Sequence, residues 1–234
     1  MRFEVSPAVF ELLPDACFGV VAVKGADNSK PIPEVSALLH ESIAACEKAL
    51  EGIKVKESPE IVPYRDAFRA LNINPNKFMC SIEALLDRIA KGKGFPHINA
   101  IVDMGNAVSI KYHLPIGAHD IATIDEALEV RYTKPGDTFI PFGGGEEDNP
   151  EEGEVVYVSG GQVRTRRWTW RQSEIGKITE DTSSVLFPID GFTDLNKDKV
   201  EEAAGELAQL AEKFFGVKAQ VGFIDKDNRV FQVE

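Results

Sequence analysis

"INAIVDMGNAVSIKYHLPIGAHD", from Ile98 to Asp120, is the stretch in which the chain stops being helical. Ile98, Ile101, Val102, Val108 and Tyr112 recur at helical spacing, and Pro115 forces a stop. Inside that helix Asp103, Asn106 and Ser109 stand three apart, which predicts a polar edge on an otherwise apolar element. The loop that follows carries His113, His119 and Asp120, with a proline and a glycine between the histidines.

Outward from this stretch the two directions differ. Upstream lie helical patterns. Pro31 and Pro33 precede a stripe of Val35, Leu38, Leu39, Ile43, Cys46 and Leu50 that ends near Gly52. A shorter helix carries Tyr64, Phe68 and Leu71. A third has Ser81 as N-cap, an Ile82, Leu85, Leu86 and Ile89 face, and Gly92 as its stop. Only "CFGVVAVKG" reads there as a buried strand.

Downstream, "ALEVRYTKPGDTFIPFGG" and "GEVVYVSGGQVRTRRWTW" read as strands with turns at Pro135-Gly136 and Gly160-Gly161, and "SSVLFPID" as another. An amphipathic helix, Lys197 to Phe215, precedes two last strands. Helices gathered early and strands late predict an α+β fold, a helical N-terminal portion packed on a β-rich mixed-sheet core. No linker or repeat requires two domains, so residues 1–234 are expected to form a single one.

Composition narrows the function. At 234 residues, 43% hydrophobic and 27% charged, the chain reads as an ordinary soluble protein. No signal-peptide run opens it and no apolar run approaches the ~20 residues of a membrane helix. Cys17, Cys46 and Cys80 are odd in number and form no C-x-x-C, which fits a reducing, cytoplasmic compartment. A net charge of −12 excludes a simple basic nucleic-acid binder. Half of that excess is the six acids of "EEDNPEEGE", Glu146 to Glu154, read as an exposed loop.

Local chemistry is concentrated in two places. Asp120 could orient His119 or cap the next turn. The histidine spacing is not H-x-x-x-H and no cysteine is near, so no metal is expected, and no motif calls for a cofactor. In "RTRRWTWRQSE", strand alternation would put Arg166, Trp168 and Trp170 on one face and Arg167, Thr169 and Arg171 on the other. Either the tryptophans are core and the arginines solvated, or the guanidinium groups meet an anion or a nucleic-acid backbone. "FGGGEE" lacks the lysine and spacing of a phosphate loop and reads as a hairpin tip. No G-x-S-x-G or Cys-His pairing supplies a nucleophile, so a positioned water is the natural attacker in any hydrolysis.

Three segments together, "YRDAFRALNINPNKFMCSIEALLDRI", "INAIVDMGNAVSIKYHLPIGAHD" and "RRWTWRQSEIGKITEDT", resemble the editing, tRNA-binding domain of the bacterial phenylalanyl-tRNA synthetase beta subunit, and its free-standing relatives more closely. The similarity runs from about residue 64 to 192. In the synthetase this domain hydrolyses tyrosine wrongly attached to the phenylalanine tRNA. The resemblance therefore implies a trans-acting deacylase that holds the aminoacylated 3′ end of a tRNA, not a complete synthetase. Asn106 matches the family's asparagine, and Leu114 to Asp120 match its Gln-Pro-Met-His-Ala-Phe-Asp loop, agreeing at Pro115, Ala118 and Asp120. The family's loop histidine falls on Gly117, and His119 takes the phenylalanine position. The glycine-rich pocket segment is replaced by "RRWTWRQS", and the pocket glutamate falls on Pro188. Thr179 and Thr182 keep the threonine turn. Tyrosine specificity is not carried over.

The resemblance thus assigns Asn106, His119 and Asp120 to catalysis. Ser109, Arg171, Gln172, Thr179 and Thr182 are assigned to the amino acid or terminal adenosine, and Arg166 and Arg167 to nucleic acid. Two alternatives stand beside a deacylase: a non-catalytic tRNA- or RNA-binding module of the same fold, and a pocket reused for a small anionic ligand. The residues by themselves do not decide whether the chain is an enzyme.

Overall fold

The structure, a computed structural model, describes residues 1–234. Its elements run β1 (Arg2–Val5), α1 (Pro7–Leu12), β2 (Ala16–Lys24), α2 (Pro33–Ala49), α3 (Val62–Ala70), α4 (Ser81–Ala90), α5 (Ala100–Tyr112), β3 (His119–Asp120), β4 (Ala127–Tyr132), β5 (Val155–Ser159), β6 (Gln162–Arg166), β7 (Arg171–Gln172), β8 (Ser184–Phe192), α6 (Lys197–Phe215), β9 (Gln220–Ile224) and β10 (Val230–Gln232). Two sheets form. One has six strands in the order β10-β1-β4-β5-β6-β7, the other four in the order β3-β8-β2-β9. The β1–β4 pair is parallel and the remaining pairs are antiparallel, so the six-stranded sheet is mixed, and the α+β expectation is met.

The unbroken apolar run in β2 has a simple cause: both of its faces are buried. Phe18, Val20 and Ala22 join Phe3, Leu128 and Val130 between the sheets. Cys17, Val21 and Val23 face the other way, onto Ile101, Met104 and Val108 of α5 and Val200, Leu207 and Ala211 of α6. The molecule is therefore layered, with α5 and α6 on the outer face of the four-stranded sheet and the six-stranded sheet on its inner face, while α1, α3 and α4 contribute to the core that the two sheets share. All three cysteines are free and buried. No helix is long and apolar enough to cross a membrane.

Several sequence expectations change here. The early part is less purely helical than its texture suggests, because β1 and β2 are interior strands of the two sheets. The N-cap position of α4 is Cys80 and makes no side-chain cap; Ser81 is the first helical residue. The Gly160-Gly161 turn is as expected, with both residues at positive φ, as a tight hairpin requires.

One buried ion pair clamps the helical layer. Arg65 of α3 donates from Nη1 to Glu83 Oε1 of α4 at 2.5 Å and to the Pro75 carbonyl at 3.0 Å. Burial pushes the Glu83 carboxyl pKa up, against the pull of Arg65. Removing the arginine strands a buried carboxylate, so Arg65→Ala should cost about 3–5 kcal/mol. Glu83→Gln leaves the Arg65 cation without its counter-ion but still bonded to the Pro75 carbonyl and Asn76, and keeps a hydrogen-bonding side chain at 83, so it should cost less than Arg65→Ala. Urea unfolding midpoints check this, and equal losses for the two variants would contradict it.

Candidate functional site

The site lies where the loop after α5, the second half of β8 and the turn between β6 and β7 converge. The antiparallel ladder explains the convergence. The Gly117 amide donates to the Pro188 carbonyl at 2.9 Å and the Asp190 amide to the Pro115 carbonyl at 3.0 Å, which pins the loop along β8. His119 pairs with Leu186 in the same ladder. Across from it, "RRWTWR" is not a continuous strand. The β6 strand ends at Arg166, Arg167 and Trp168 adopt left-handed φ values of 47° and 59°, and β7 begins only at Arg171. Two such non-glycine residues cost on the order of 1–3 kcal/mol each. The distortion turns Trp168 inward until it is fully buried, and the expected two-faced alternation does not exist.

What Trp168 reaches is Asp190. Its indole N–H donates to Asp190 Oδ1 at 2.6 Å, and the Tyr157 hydroxyl donates to the same oxygen at 2.6 Å. The Tyr64 hydroxyl donates to the Asp190 carbonyl at 2.9 Å. Burial raises the Asp190 pKa to about 7, with the Tyr157 and Trp168 hydrogen bonds pulling the other way. Both donors converge on Oδ1, and Asp190 lines a chamber of about 80 Å³ shared with His119, Tyr157, Trp168 and Thr169.

His119 is 2% exposed and stacks on Tyr157 with ring centroids 5.6 Å apart. Its Nδ1 has no partner. Burial, then the nearby Arg164 guanidinium, lowers its pKa to about 3, so the imidazole is neutral at physiological pH. A Cβ added to Gly117 would sit 3.1 Å from His119 Nε2 and 3.2 Å from Pro188 Cγ. The imidazole thus reaches back into the space where a side chain at 117 would begin.

In front of the chamber is a larger cleft of about 430 Å³. Ile116, Gly117, Trp170, Arg171 and Gln172 line both. Asn106, Phe142 and Lys177 line only the outer part. The Gln172 amide donates to the Ala118 carbonyl at 2.7 Å, holding the two walls together. Arg171 is exposed.

Of the sequence candidates, Asn106, His119, Arg171 and Gln172 meet in this region. The others are committed elsewhere. Asp120 accepts the Ala122 amide at 2.9 Å through Oδ1 and the Thr182 hydroxyl at 2.8 Å through Oδ2. Thr182 in turn accepts the Thr179 amide at 3.0 Å. Asp120, Thr179 and Thr182 therefore build a turn beside the site and do not line it. The Ser109 hydroxyl donates to the Leu114 carbonyl at 2.6 Å and closes the end of α5. Asp103, the first member of the expected polar edge, is buried and accepts His97 at 2.8 Å and the Ile98 amide at 3.0 Å.

Arg166 and Arg167 are not offered to a phosphate. Arg166 is buried against Glu154 and Asp148. Arg167 lies over the Phe78 ring at 4.0 Å and pairs with Glu154 at 3.3 Å. The acidic segment expected as a free loop thus supplies the counter-ions for these arginines. Asp190, Tyr157, Phe142 and Lys177 were not singled out by the sequence. The one available signal was a carboxylate ending the apolar run "SSVLFPID".

The two buried titratable groups bias stability in opposite directions. An unfolded aspartate titrates near ~3.9, so between there and about 7 folded Asp190 keeps a proton the unfolded chain has lost. Its contribution is full below about pH 4 and disappears as pH rises through 7. For His119 the folded pKa of about 3 lies below the unfolded ~6.5, and its contribution is lost on acidification. Asp190→Asn removes only the first. The difference in unfolding free energy, wild type minus variant, should therefore fall by about 1.4 kcal/mol per pH unit from pH 4 to 7. Urea titrations at four pH values measure it, and a constant difference would rule it out.

Residues 63–216, more than half of the chain, match the family model of the B3/4 domain. No curated protein matches the sequence. Among solved structures the chain is similar to an N-terminal fragment of the phenylalanyl-tRNA synthetase beta-subunit from Pyrococcus horikoshii, with a TM-score of 0.51 at 12% identity. The alignment covers 93% of this chain and 49% of that fragment, so the chain spans about half the fragment's length. At that identity the likeness is one of fold. The chain belongs to the B3/4 domain family, as the three motif segments implied.

Proposed function

We propose that the cleft holds the aminoacylated 3′ end of a tRNA and that a bound water hydrolyses the ester in trans. The observation that carries this reading is the two-part shape of the site. An outer cleft with aromatic and cationic walls opens, past Gly117 and Gln172, onto a small inner chamber. Phe142 and Trp170 offer ring faces to an unstacked base, and base–aromatic stacking is worth ~1–3 kcal/mol. Arg171 and Lys177 offer charge to a phosphate. The resemblance to a domain that removes amino acids from tRNA supports the same assignment.

In the reaction the water oxygen bonds to the ester carbonyl carbon, the bond to the ribose oxygen breaks, and the proton passes to that oxygen. The chain's own part is positioning. An aminoacyl ester is already activated, so holding water and carbonyl in register can supply much of the rate. Burial pushes the Cys80 thiol up to about 12, so this cysteine is not an activated nucleophile. In this reading Asn106, a polar group of the outer cleft, polarises the carbonyl, while Arg171 holds a phosphate. Neutral His119 lines the chamber and does not act as a cation.

A non-catalytic tRNA-binding module is the second reading. It is favoured by the burial of His119 and the structural commitment of Asp120, which together withdraw two of the three expected catalytic groups.

Incubation with a panel of mischarged tRNAs separates the two readings. Hydrolysis above the buffer rate for at least one substrate is expected, with Arg171→Ala at least tenfold slower. The same variant should lower the slope of log affinity against log salt by about 0.7, one single-strand phosphate contact. Binding without hydrolysis across the panel would leave the second reading, and neither would overturn both.

A further inference from the structure

The inner chamber carries a statement about which amino acid the site accepts. Its volume is about 80 Å³. One water occupies a share of ~30 Å³ in the liquid, and cavities that admit benzene are near ~150 Å³. The chamber is thus about half the size of a cavity that admits an aromatic ring, and favours a compact side chain. Its walls do not yield easily. Trp168 and Tyr157 are fully buried and fixed by hydrogen bonds, and His119 already occupies the space beside Gly117.

The lining is mostly apolar, with a few polar groups set into it. Ser81, Thr165 and Thr169 bring hydroxyls, His119 a neutral imidazole and Asp190 a carboxyl group. Tyr157 and Trp168 both donate to Oδ1 of Asp190, and no protein group donates to Oδ2. Thr169 Oγ1 is buried without a partner. An apolar occupant would leave Asp190 Oδ2 unmatched, at a cost of ~1–3 kcal/mol. An occupant with a hydroxyl would satisfy Oδ2.

We propose that the chamber is a pocket for a compact, hydroxyl-bearing side chain of the serine and threonine class, whose hydroxyl donates to Asp190 Oδ2. Asp190 is then a specificity-determining residue. This rests on reading the cleft as an aminoacyl-ester site, and departs from the aromatic specificity of the synthetase domain. A site built to hydrogen-bond a hydroxyl discriminates strongly against analogues that lack one. At least about 100-fold in favour of serine over alanine, and of threonine over valine, is expected.

The test compares seryl-, threonyl-, alanyl-, valyl-, phenylalanyl- and tyrosyl-tRNA as substrates. In parallel, the corresponding non-hydrolysable amide-linked aminoacyl-adenosines are measured as ligands. Preference for the hydroxyl pair in either assay supports the proposal. Amide-analogue preference without hydrolysis keeps the pocket assignment and removes only the catalytic one. Fastest turnover of phenylalanyl- or tyrosyl-tRNA would overturn the pocket while leaving a deacylase. Equal binding of all analogues, or of none, would overturn it as well.

Asp190→Asn sharpens the result. Its Oδ1 can still accept Tyr157 and Trp168, so the amide nitrogen turns toward the chamber and replaces an acceptor with a donor. The serine-over-alanine and threonine-over-valine ratios should both collapse toward one. A retained ratio in the folded variant would show that Asp190 does not read the hydroxyl. If the variant does not fold, the wild-type panel decides alone.

Discussion

A single buried carboxylate joins the parts of this molecule that form the cleft. Asp190 sits on β8 of the four-stranded sheet. Its two side-chain donors come from elsewhere: Tyr157 from β5 of the six-stranded sheet and Trp168 from the turn beyond β6. Through its carbonyl the same residue receives Tyr64 of α3, which links the helical layer. Burying a carboxyl group among aromatics is unfavourable unless strong donors compensate. Here the donors are themselves fully buried, so each depends on Asp190 for its own hydrogen bond. The spacing of the two sheets at the site and the closure of the chamber thus follow from one set of contacts.

The strained turn at Arg167 and Trp168 belongs to the same constraint. In an ordinary strand Trp168 would follow the pleat, and its indole nitrogen could not be aimed at β8. Two left-handed residues break the pleat and swing the ring between the sheets. The unfavourable φ values are offset by burial of the whole Trp168 side chain and by the ion pairs that fix Arg166 and Arg167 on the outer side. The acidic segment is therefore more than a solvated excursion. Glu154 is buried between those guanidinium groups, and without it Arg167 would lose its nearest counter-ion and Arg166 would keep only Asp148.

Local pattern was enough for the elements whose burial is periodic. The helices over Pro33–Ala49, Ala100–Tyr112 and Lys197–Phe215 and the Gly160-Gly161 hairpin were all legible, because spacing and turn chemistry fix them within a few residues. Strand β1 was not, since four residues of mixed burial resemble any extended terminus. The site was only half legible. Asn106, His119, Arg171 and Gln172 carry motifs and do meet. Asp120, Ser109, Thr179 and Thr182 carry the same motifs yet stabilise turns, and nothing in a one-dimensional pattern separates a short polar side chain that caps from one that lines a cavity. Asp190 escaped for the reverse reason. Its partners lie 33 and 22 residues away, a separation no local signal spans.

The histidine shows how a motif can move and leave its volume occupied. Set against the synthetase loop, the imidazole is two residues late, which in a β ladder keeps it on the same face of the sheet. Gly117 then provides the vacancy, because any side chain there would press on His119 Nε2 and Pro188. The glycine, the histidine and the proline on β8 are thus packed together at one point of the wall. The ring that results is neutral, stacked on Tyr157 and closed from solvent, where the resemblance alone would have supplied a solvent-facing acid–base group. The wall opposite the loop differs as well, since "RRWTWRQS" stands where the family carries its glycine-rich segment. That is the reason to look for its substrate by volume and hydrogen-bonding capacity in preference to ancestry.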